Sequence, residues 1–456
     1  MDSITNLRDK FTLPRISFVK VLAMLFAGMF VSMFFFPFFF AAFPAQNTKN
    51  LMAALGLVYL FMTLVYKREF SIPKGIIILL LLSTFVSVAS LFSINYNQTP
   101  DDAYATYIRS AIIWLSAAYA ACMAIYWVHG KIDVKLVLNY LIGVCLFQCA
   151  MALLIDFVPS VKSFVDAHFY QGQEILTDLG RLYGIGASLD VAGSRFAAVL
   201  IAMAVYLDYN KNELKPIQLF IYLICFILIA FIGNMIARTT LVGLGIGLGY
   251  LVFRQIQGLF QQRQEGGDRK ILRMWAVALG VLMPIAVFFY QTSDQFYDLM
   301  RFGFEGFFSL VETGEWDVAS TNTLESMIVI PEETRTWIIG DGYFDNQRND
   351  INYLGDATEE GFYMNTDIGY LRFIFYFGLI GLVAISLVMI YAAYLSADSF
   401  PEYKTLFWLV CLANFVIWLK VSTDLFLFFC LFICASIIRD TIQEEDEEET
   451  PELQEE

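Results

Sequence analysis

The feature that most constrains this chain is a series of apolar stretches that recurs along almost its whole length. Each stretch has roughly 17 to 25 residues, the length that an α-helix needs to cross about 30 Å of hydrocarbon. The composition agrees, since 58% of the 456 residues are apolar and only 16% are charged. A backbone in hydrocarbon has to pair its own polar groups, so helices are the expected spanning structure. The sequence therefore predicts an all-α polytopic membrane protein.

We predict about twelve spanning helices in one membrane domain over residues 1–440. The predicted spans are 18–43, 51–66, 75–93, 107–128, 134–157, 192–208, 216–235, 238–254, 272–291, 367–395, 405–420 and 421–438. The last two are short and weakly separated, so eleven spans is the alternative. Two connections are long, 158–191 and 292–366, and the second lies between the ninth and tenth spans. A loop of that length usually has a function and helices of its own, so we expect a helix over 295–311.

The basic residues predict the sides of the membrane. With the N-terminus in the cytoplasm, 18 of the 29 lysine and arginine residues fall on the cytoplasmic side, as the positive-inside rule requires. The two long connections are then external, and both termini are cytoplasmic. Much of the net charge of −15 comes from the acidic segment 441–456. Its composition is too polar to fold alone, and we expect a disordered tail.

Arginine dominates the basic residues that this orientation places outside. Arginine accounts for eight of these eleven residues: Arg109, Arg181, Arg195, Arg238, Arg301, Arg335, Arg348 and Arg372. The planar guanidinium group matches phosphate oxygens, whereas lysine is a point charge. The excess therefore indicates a phosphate-bearing ligand at the external face. The alternative is that these side chains reach lipid headgroups or pair with nearby carboxylates.

Two candidate places precede the long connection 292–366. In 181-RLYGIGASLDVAGSR-195, Arg181 and Arg195 flank a turn that contains glycine, and Arg195 is expected to begin a helix. In 237-ARTT-240, Arg238 is expected to open the eighth span at its external end. Each place sets a permanent positive charge at the membrane boundary, where a charge is costly unless it is paired or binds a ligand.

Two further places lie in or after that connection. The segment 333-ETRTWIIGDGYFDN-346 contains Arg335 and Asp341 in a Gly-Asp-Gly turn, which is an ordinary tight turn or a close approach to a ligand. The segment 366-TDIGYLRFIFYFGLIG-381 contains Asp367 and Arg372 at the start of an apolar run. On an ideal helix these two would lie on roughly opposite sides, so we expect each to need a different partner.

Together these places predict an external cavity that holds several guanidinium groups and a few carboxylates beside the hydrocarbon. A lipid-linked pyrophosphate suits such a cavity, because its tail stays in the bilayer while its charged head meets the arginines. The chain contains no HExxH, GxSxG or Walker A pattern, and its seven cysteines suggest neither a disulfide framework nor zinc ligation. We therefore expect no metal, no cofactor and no nucleic acid partner.

The order of these motifs resembles the Wzy-type repeat-unit polymerases of O-antigen and exopolysaccharide assembly, which belong to one superfamily with the O-antigen ligases. The resemblance covers roughly 180–385 at the level of motifs. It implies a GT-C-like membrane glycosyltransferase in the bacterial cytoplasmic (inner) membrane, with a periplasmic active site. Both substrates would be oligosaccharides on undecaprenyl pyrophosphate, and a chain-length regulator is an open candidate partner.

The resemblance also implies roles for individual residues. Arg238 would bind the pyrophosphate, with Arg181 and Arg195 as further candidates. Asp367 and Arg372 match the segment in which the family activates the acceptor and contacts phosphate. Asp367 is our first choice of base, and Asp341 and Glu325 are the alternatives.

Two other functions stay open. O-antigen ligases typically carry a histidine near the end of the long loop, and 292–366 contains none, which favours a polymerase over a ligase. The alternative from a different class is a lipid-linked oligosaccharide flippase or transporter. Such proteins often show two repeated halves and charges within the membrane. Here we find no internal repeat, and the charges cluster at the predicted external boundary.

Overall fold

The computed structural model describes residues 17–67, 73–171, 176, 181–260, 266–345 and 361–452. It consists almost entirely of helices, which we number in chain order. The helices are α1 (Phe18–Phe35), α2 (Thr48–Lys67), α3 (Lys74–Asn97), α4 (Tyr107–His129), α5 (Val134–Phe157), α6 (Pro159–His168), α7 (Leu189–Asn210), α8 (Pro216–Ile236), α9 (Thr240–Phe260), α10 (Gly266–Thr292), α11 (Asp294–Gly303), α12 (Glu305–Thr313), α13 (Ala319–Ser326), α14 (Thr334–Ile339), α15 (Gly369–Ser399), α16 (Lys404–Ile417) and α17 (Phe426–Glu452). Three short strands, β1 (Phe39–Phe40), β2 (Phe43–Asn47) and β3 (Phe169–Tyr170), pair antiparallel in the order β2-β1-β3.

Within those described ranges, nine helices are long and apolar enough to cross a bilayer. They are α1, α3, α4, α5, α7, α8, α15, the Arg273–Thr292 part of α10 and the Phe426–Gln443 part of α17. The prediction of an all-α polytopic membrane protein is therefore confirmed. Helices α2, α9 and α16 coincide with the other three predicted spans, but they do not meet the same criteria. The count of twelve stays a prediction.

The two ends of the helical region differ from the sequence-based boundaries. The predicted span 18–43 is too long, because α1 ends at Phe35. Pro37 has no N–H to donate and disfavours helical backbone at the residue before it, and Phe36 accordingly has φ −129° and ψ 74°. At the other end α17 continues to Glu452, into the segment predicted to be disordered. Glutamate is a good helix former, so a helix that is already formed extends through this acidic run.

Helix α7 is the centre of the bundle, and its residues 192–208 are all buried. Small residues let its neighbours approach closely. A Cβ atom on Gly243 of α9 would lie 2.2 Å from the Cα atom of Ala197 in α7. In the same way, Gly56 of α2 lies directly against the backbone of Ser116 in α4. Close backbone packing is how helices associate in membranes, where lipid tails are as apolar as the side chains.

The connections that carry most of the polar side chains meet at one end of the bundle, which we call the loop face. It consists of the described residues in 36–47, 98–106, 158–188, 237–239, 293–368 and 418–425. The ring of Phe38 packs on that of Phe169 at 5.1 Å, and the Asp101 carboxylate accepts a hydrogen bond from the N–H of Phe344 at 2.8 Å. The described parts of both connections predicted to be external, 158–191 and 292–366, therefore lie at this one end.

Helix α15 is broken one-third of the way along its length. Phe377 and Gly378 have backbone angles outside the helical region, and Gly378 has φ +66°. A Cβ atom on Gly378 would lie 2.2 Å from the carbonyl oxygen of Ile338 in α14. Only glycine fits here, because both the positive φ and the close approach of α14 exclude a side chain.

The Gly-Asp-Gly turn fills this break. The N–H groups of Asp341 and Gly342 donate to the carbonyl oxygens of Phe375 and Tyr376, at 2.6 and 3.1 Å. A break in a helix leaves carbonyl groups without helical partners, and buried carbonyl groups need new ones. The turn supplies them, so it joins the long connection to the bundle.

The helix predicted over 295–311 forms as two helices, α11 and α12, that meet at Phe304. The separation frees carbonyl groups near the end of α11. The carbonyl oxygen of Gly303 accepts a hydrogen bond from the Asn234 amide of α8 at 2.5 Å. The division therefore anchors the long connection on the end of α8.

Candidate functional site

Arg238 lies in the short connection between α8 and α9, under the long connection. Its Nε atom donates to the carbonyl oxygen of Phe302 at 3.1 Å, and Nη1 donates to the Ser320 hydroxyl at 2.9 Å. Its Nη2 atom pairs with the Glu305 carboxylate at 2.6 Å. The guanidinium plane also stacks on the Phe302 ring at 4.3 Å. Residues of α11, α12 and α13 thus hold the group in one orientation.

A cavity of about 330 Å³ opens beside this guanidinium, and we call it the Arg238 cavity. Apolar side chains form most of its wall, among them Val242, Phe307, Trp316 and Leu419. The charged side chains that line it are those of Arg238, Glu305 and Lys420. A largely apolar cavity with a few charged groups at one side suits an amphipathic ligand.

Arg181 lies on the same phenyl ring as Arg238. Its guanidinium carbon is 5.1 Å from the centre of the Phe302 ring. In the part of the chain that the structure describes, no carboxylate oxygen lies within 4 Å of this guanidinium group, whereas Arg238 is paired with Glu305. Among the described residues, Glu305 is therefore the one carboxylate that pairs with either of these two arginines.

Lys420 and Asp190 extend the polar surface from the Arg238 cavity into the bundle. The Lys420 ammonium pairs with the Asp190 carboxylate at 2.7 Å and lies 3.4 Å from the Thr239 hydroxyl. The Thr239 hydroxyl also donates to Asp190. This group joins the first turn of α7, the connection before α9 and the connection after α16.

Arg372 is the centre of a second cluster. Its guanidinium lies between the rings of Phe344 and Phe362, at 3.7 and 4.6 Å. Its Nη2 atom pairs with Asp345 at 2.7 Å, and Nη1 donates to the Ser422 hydroxyl at 3.2 Å. The residue is only 7% exposed. Aromatic faces and a carboxylate therefore replace water around this charge.

Asp367 also contacts Arg372, which corrects the expectation that the two lie on opposite sides of one helix. The distance from Nη1 of Arg372 to the Asp367 carboxylate is 3.5 Å. Helix α15 begins only at Gly369, so Asp367 precedes the helix, between two residues with extended backbone, and can turn towards the arginine. The pair is long, and Asp345 is the closer partner of Arg372.

Burial raises the pKa of Asp367 to about 6, although the charge of Arg372 opposes this effect. Asp190 raises the same pKa and Lys420 lowers it, so both lie within electrostatic range of Asp367. Burial also raises the pKa of Asp345. The charges of both the Arg372 cluster and the Lys420 pair therefore act on Asp367. A carboxylate in this range is ionised at neutral pH and is still basic enough to accept a proton.

The remaining predicted site residues lie elsewhere. Arg335 and Asp341 pair at 3.4 Å under the Gly-Asp-Gly turn. The Asp341 carboxylate also accepts hydrogen bonds from the hydroxyl groups of Thr336 and Tyr363, at 2.6 and 3.2 Å. Glu325 is exposed on α13. Burial raises the pKa of Asp341, but these donors occupy both of its oxygens, so its evident role is to hold the turn.

Arg195 does not begin a helix, because α7 starts six residues earlier, at Leu189. It is therefore in the second turn, and its guanidinium faces the Phe36 ring at 5.6 Å. Within the described ranges, it makes no ion pair or ring contact with the residues that hold Arg238.

Sequence reasoning missed Lys420 and Asp190, which are central to this arrangement. Lys420 had a detectable signal, since it is one of three lysines that the predicted orientation places outside. It also lies between two apolar runs, where a charged side chain is costly unless it has a partner. Asp190 lies between Arg181 and Arg195 in the sequence, but no spacing rule relates it to Lys420. Their contact is purely tertiary.

The chain matches no protein-family model, no curated protein and no solved structure. The resemblance described above therefore rests on the quoted motifs alone. Among the described residues, no three histidine, cysteine, aspartate or glutamate side chains are grouped so that they could hold a metal ion.

We expect Asp341→Asn to destabilise the protein. The substitution keeps the size of the side chain but replaces one accepting oxygen with an N–H₂ group, and it removes the charge that pairs with Arg335. The expected loss is about 1–3 kcal/mol of unfolding free energy. Thermal unfolding of the detergent-purified protein measures it, with Asp102→Asn, an exposed carboxylate at the same end, as the control. An unfolding temperature equal to that of the wild type would contradict the structural role.

Proposed function

We propose that the chain is a membrane glycosyltransferase that joins oligosaccharide repeat units carried on undecaprenyl pyrophosphate. In this proposal it has about twelve spans and a GT-C-like architecture, and its loop face is the periplasmic face of the bacterial cytoplasmic membrane. The observation that carries the proposal is the Arg238 cavity. It joins an apolar wall to Arg238, which pairs with Glu305 and shares the Phe302 ring with the guanidinium group of Arg181.

The pyrophosphate of the donor would bind at Arg238 and Arg181. Its polyprenyl tail would leave along the apolar wall of the cavity, and its sugar would extend towards Asp367. Two guanidinium groups can each offer two parallel N–H donors to phosphate oxygens. The Arg238 group is already oriented by Phe302 and Ser320, so little rearrangement is needed when the ligand arrives.

In the reaction, a terminal hydroxyl group of the acceptor repeat unit attacks the anomeric carbon of the donor. The bond from this carbon to the pyrophosphate oxygen breaks, and undecaprenyl pyrophosphate leaves with the bonding electrons. Its negative charge grows in the transition state, so fixed guanidinium groups lower the barrier. Asp367 would take the hydroxyl proton as general base, while Arg372 and Lys420 keep its charged form accessible.

We expect Arg238→Lys to lower the rate of polymerisation by about 10 to 100-fold, because an ammonium group cannot reproduce a two-pronged contact with phosphate. The measurement is the initial rate at which the purified variant converts lipid-linked repeat units into oligomers. Arg301→Lys is a matched control. Arg301 also pairs with a carboxylate, that of Glu312, and lies over a phenyl ring, that of Phe308, but it does not line the cavity.

The control should keep close to the wild-type rate. Near-normal activity of a well-folded Arg238→Lys protein would contradict the assignment of Arg238. Equal losses in both variants would show that the loss is not specific to the cavity.

We expect kcat/KM to fall about tenfold per pH unit below pH 6. The base has to be ionised, and the pKa of Asp367 is raised from 3.8 to about 6, so acidification protonates it well above the range of an ordinary aspartate. Rates measured from pH 5 to 8 test this. Asp345→Asn, which removes the other carboxylate paired with Arg372, should keep the acidic limb. A profile that stays flat down to pH 5 would exclude Asp367 as the base.

A further inference from the structure

A second cavity, of about 530 Å³, opens between α9 and α16 at the end of the bundle opposite the loop face. We call it the Arg254 cavity. Helix α9 begins at the loop face and α16 ends there, so the two helices run antiparallel. The described residues that line this cavity and those that line the Arg238 cavity have no member in common. The Arg254 cavity is therefore a separate space.

The Arg254 cavity is polar at one end and apolar at the other. In α9 the polar lining residues Arg254 and Gln257 come last, and in α16 the polar lining residue Thr405 comes first. Because the helices are antiparallel, these polar groups meet at the outer end of the cavity. Apolar residues, among them Ile246 and Leu412, line the part nearer the middle of the bundle. A ligand with a polar head and an apolar chain matches this order.

The length of the cavity matches one leaflet of a bilayer. Its lining residues in α9 extend from Ile246 to Gln257, which corresponds to about 16 Å of helix. Half of a hydrocarbon core of about 30 Å is close to this length. Gly249 leaves room for a chain, since a Cβ atom there would meet nothing within 4 Å among the described residues outside its own helix. An acyl chain from the nearer leaflet therefore fits between the helices.

The Arg254 guanidinium is held at the polar end of the cavity by two contacts. Its Nε atom donates to the Asp208 carboxylate of α7, and Nη1 donates to the Gln257 side chain, both at 2.8 Å. Asp208 is only 5% exposed and also accepts the Tyr250 hydroxyl at 2.8 Å. The Nη2 atom makes no hydrogen bond or ion pair with any described residue, and the Arg254 side chain is 42% exposed. A fixed guanidinium group thus keeps one nitrogen atom for a ligand.

The charge at this end favours an anionic head group. Among the described residues that line the cavity, Arg254 is the one that carries a charge, and its partner Asp208 does not line it. Guanidinium donors match the oxygens of a phosphate group. Basic pockets between spanning helices are known places for anionic lipid head groups. The chemistry of the polar end therefore agrees with the shape of the whole cavity.

We infer that the Arg254 cavity is a binding site for an anionic glycerophospholipid. Its phosphate group lies at Nη2 of Arg254, and one acyl chain runs between α9 and α16 past Gly249. The inference concerns lipid binding alone. It does not depend on which reaction the chain catalyses, and its test uses no lipid-linked sugar.

Native mass spectrometry of the full-length protein, released from detergent with defined amounts of lipid, measures the head-group preference. We expect the wild type to bind phosphatidylglycerol about tenfold more tightly than phosphatidylcholine with the same chains, because phosphatidylcholine carries a cation beside its phosphate. Arg254→Gln should remove this preference. Arg439→Gln is the matched control and should keep it. Arg439 lies at the same end, pairs with Asp440 and is 31% exposed, but it does not line the cavity.

Equal affinity of the wild type for the two lipids would overturn the inference. A preference that survives in Arg254→Gln, or that falls equally in both variants, would also overturn it, because the head group would then bind elsewhere.

A second pair of variants tests the position of the acyl chain without changing a charge. Gly249→Leu should weaken phosphatidylglycerol binding about tenfold or more, because the new side chain occupies the cavity. The fold should tolerate it, since a Cβ atom has room there and leucine is a better helix former than glycine. Gly245→Leu is the matched control. A Cβ atom on Gly245 also meets nothing within 4 Å among the described residues outside α9, but Gly245 does not line the cavity. Equal affinities of the two variants would contradict the site.

The same spectra identify other occupants. Glycerophosphate has the phosphate group but no chain, so it should not displace the lipid. Displacement by glycerophosphate at the same concentration would mean that the ligand is a soluble phosphate and would overturn the lipid site. A lipid-free dimer that Gly249→Leu dissociates would assign the cavity to a second copy of the chain, which would overturn it as well.

Discussion

The Arg372 guanidinium is the contact on which the loop face depends. It joins three segments: the long connection through Phe344 and Asp345, the start of α15 through Asp367, and the connection after α16 through Ser422. A charge that is almost completely removed from water has to be paired and surrounded, and here two rings and two carboxylates do so. The same guanidinium group also holds Asp367, which lies within electrostatic range of Lys420.

The break in α15 makes this arrangement possible. An unbroken helix would use the carbonyl groups of Phe375 and Tyr376 internally, and the Gly-Asp-Gly turn would then have nothing to pair with. Because the turn pairs there, Asp341 is committed to holding the long connection on the bundle. In the proposed reaction Asp367 therefore serves as the base, because hydroxyl donors already occupy the Asp341 carboxylate.

Much of the fold could be predicted from the sequence, because the length of an apolar run sets the length of a spanning helix. The end of α1 could have been placed better, since Pro37 is visible in the sequence. The site was harder to predict. Arg181 and Arg238 could be assigned to one cavity by charge and predicted side, and the structure brings them to one ring. The ion pair of Lys420 and Asp190 could not be predicted from the sequence, because it joins segments 230 residues apart.

The positions of two site residues were predicted wrongly, because the start of a helix was misplaced in each case. Asp367 was counted as helical and therefore as distant from Arg372, but it precedes α15 and contacts Arg372. Arg195 was placed at the start of a helix, where it would join Arg238. It is instead in the second turn of α7, where its guanidinium group faces the Phe36 ring. An error of a few residues in a helix boundary therefore changes which side chains meet, although it does not change the number of helices.

The most direct test of the proposed glycosyltransferase is to incubate the purified wild-type protein in detergent with the lipid-linked repeat unit and EDTA. The products are then separated on a gel. We predict a ladder of lipid-linked oligomers that forms without added metal and lengthens with time. The contradicting result would be no ladder from the protein in detergent, together with movement of the intact lipid-linked unit across liposomes that contain the protein. That outcome would identify a transporter.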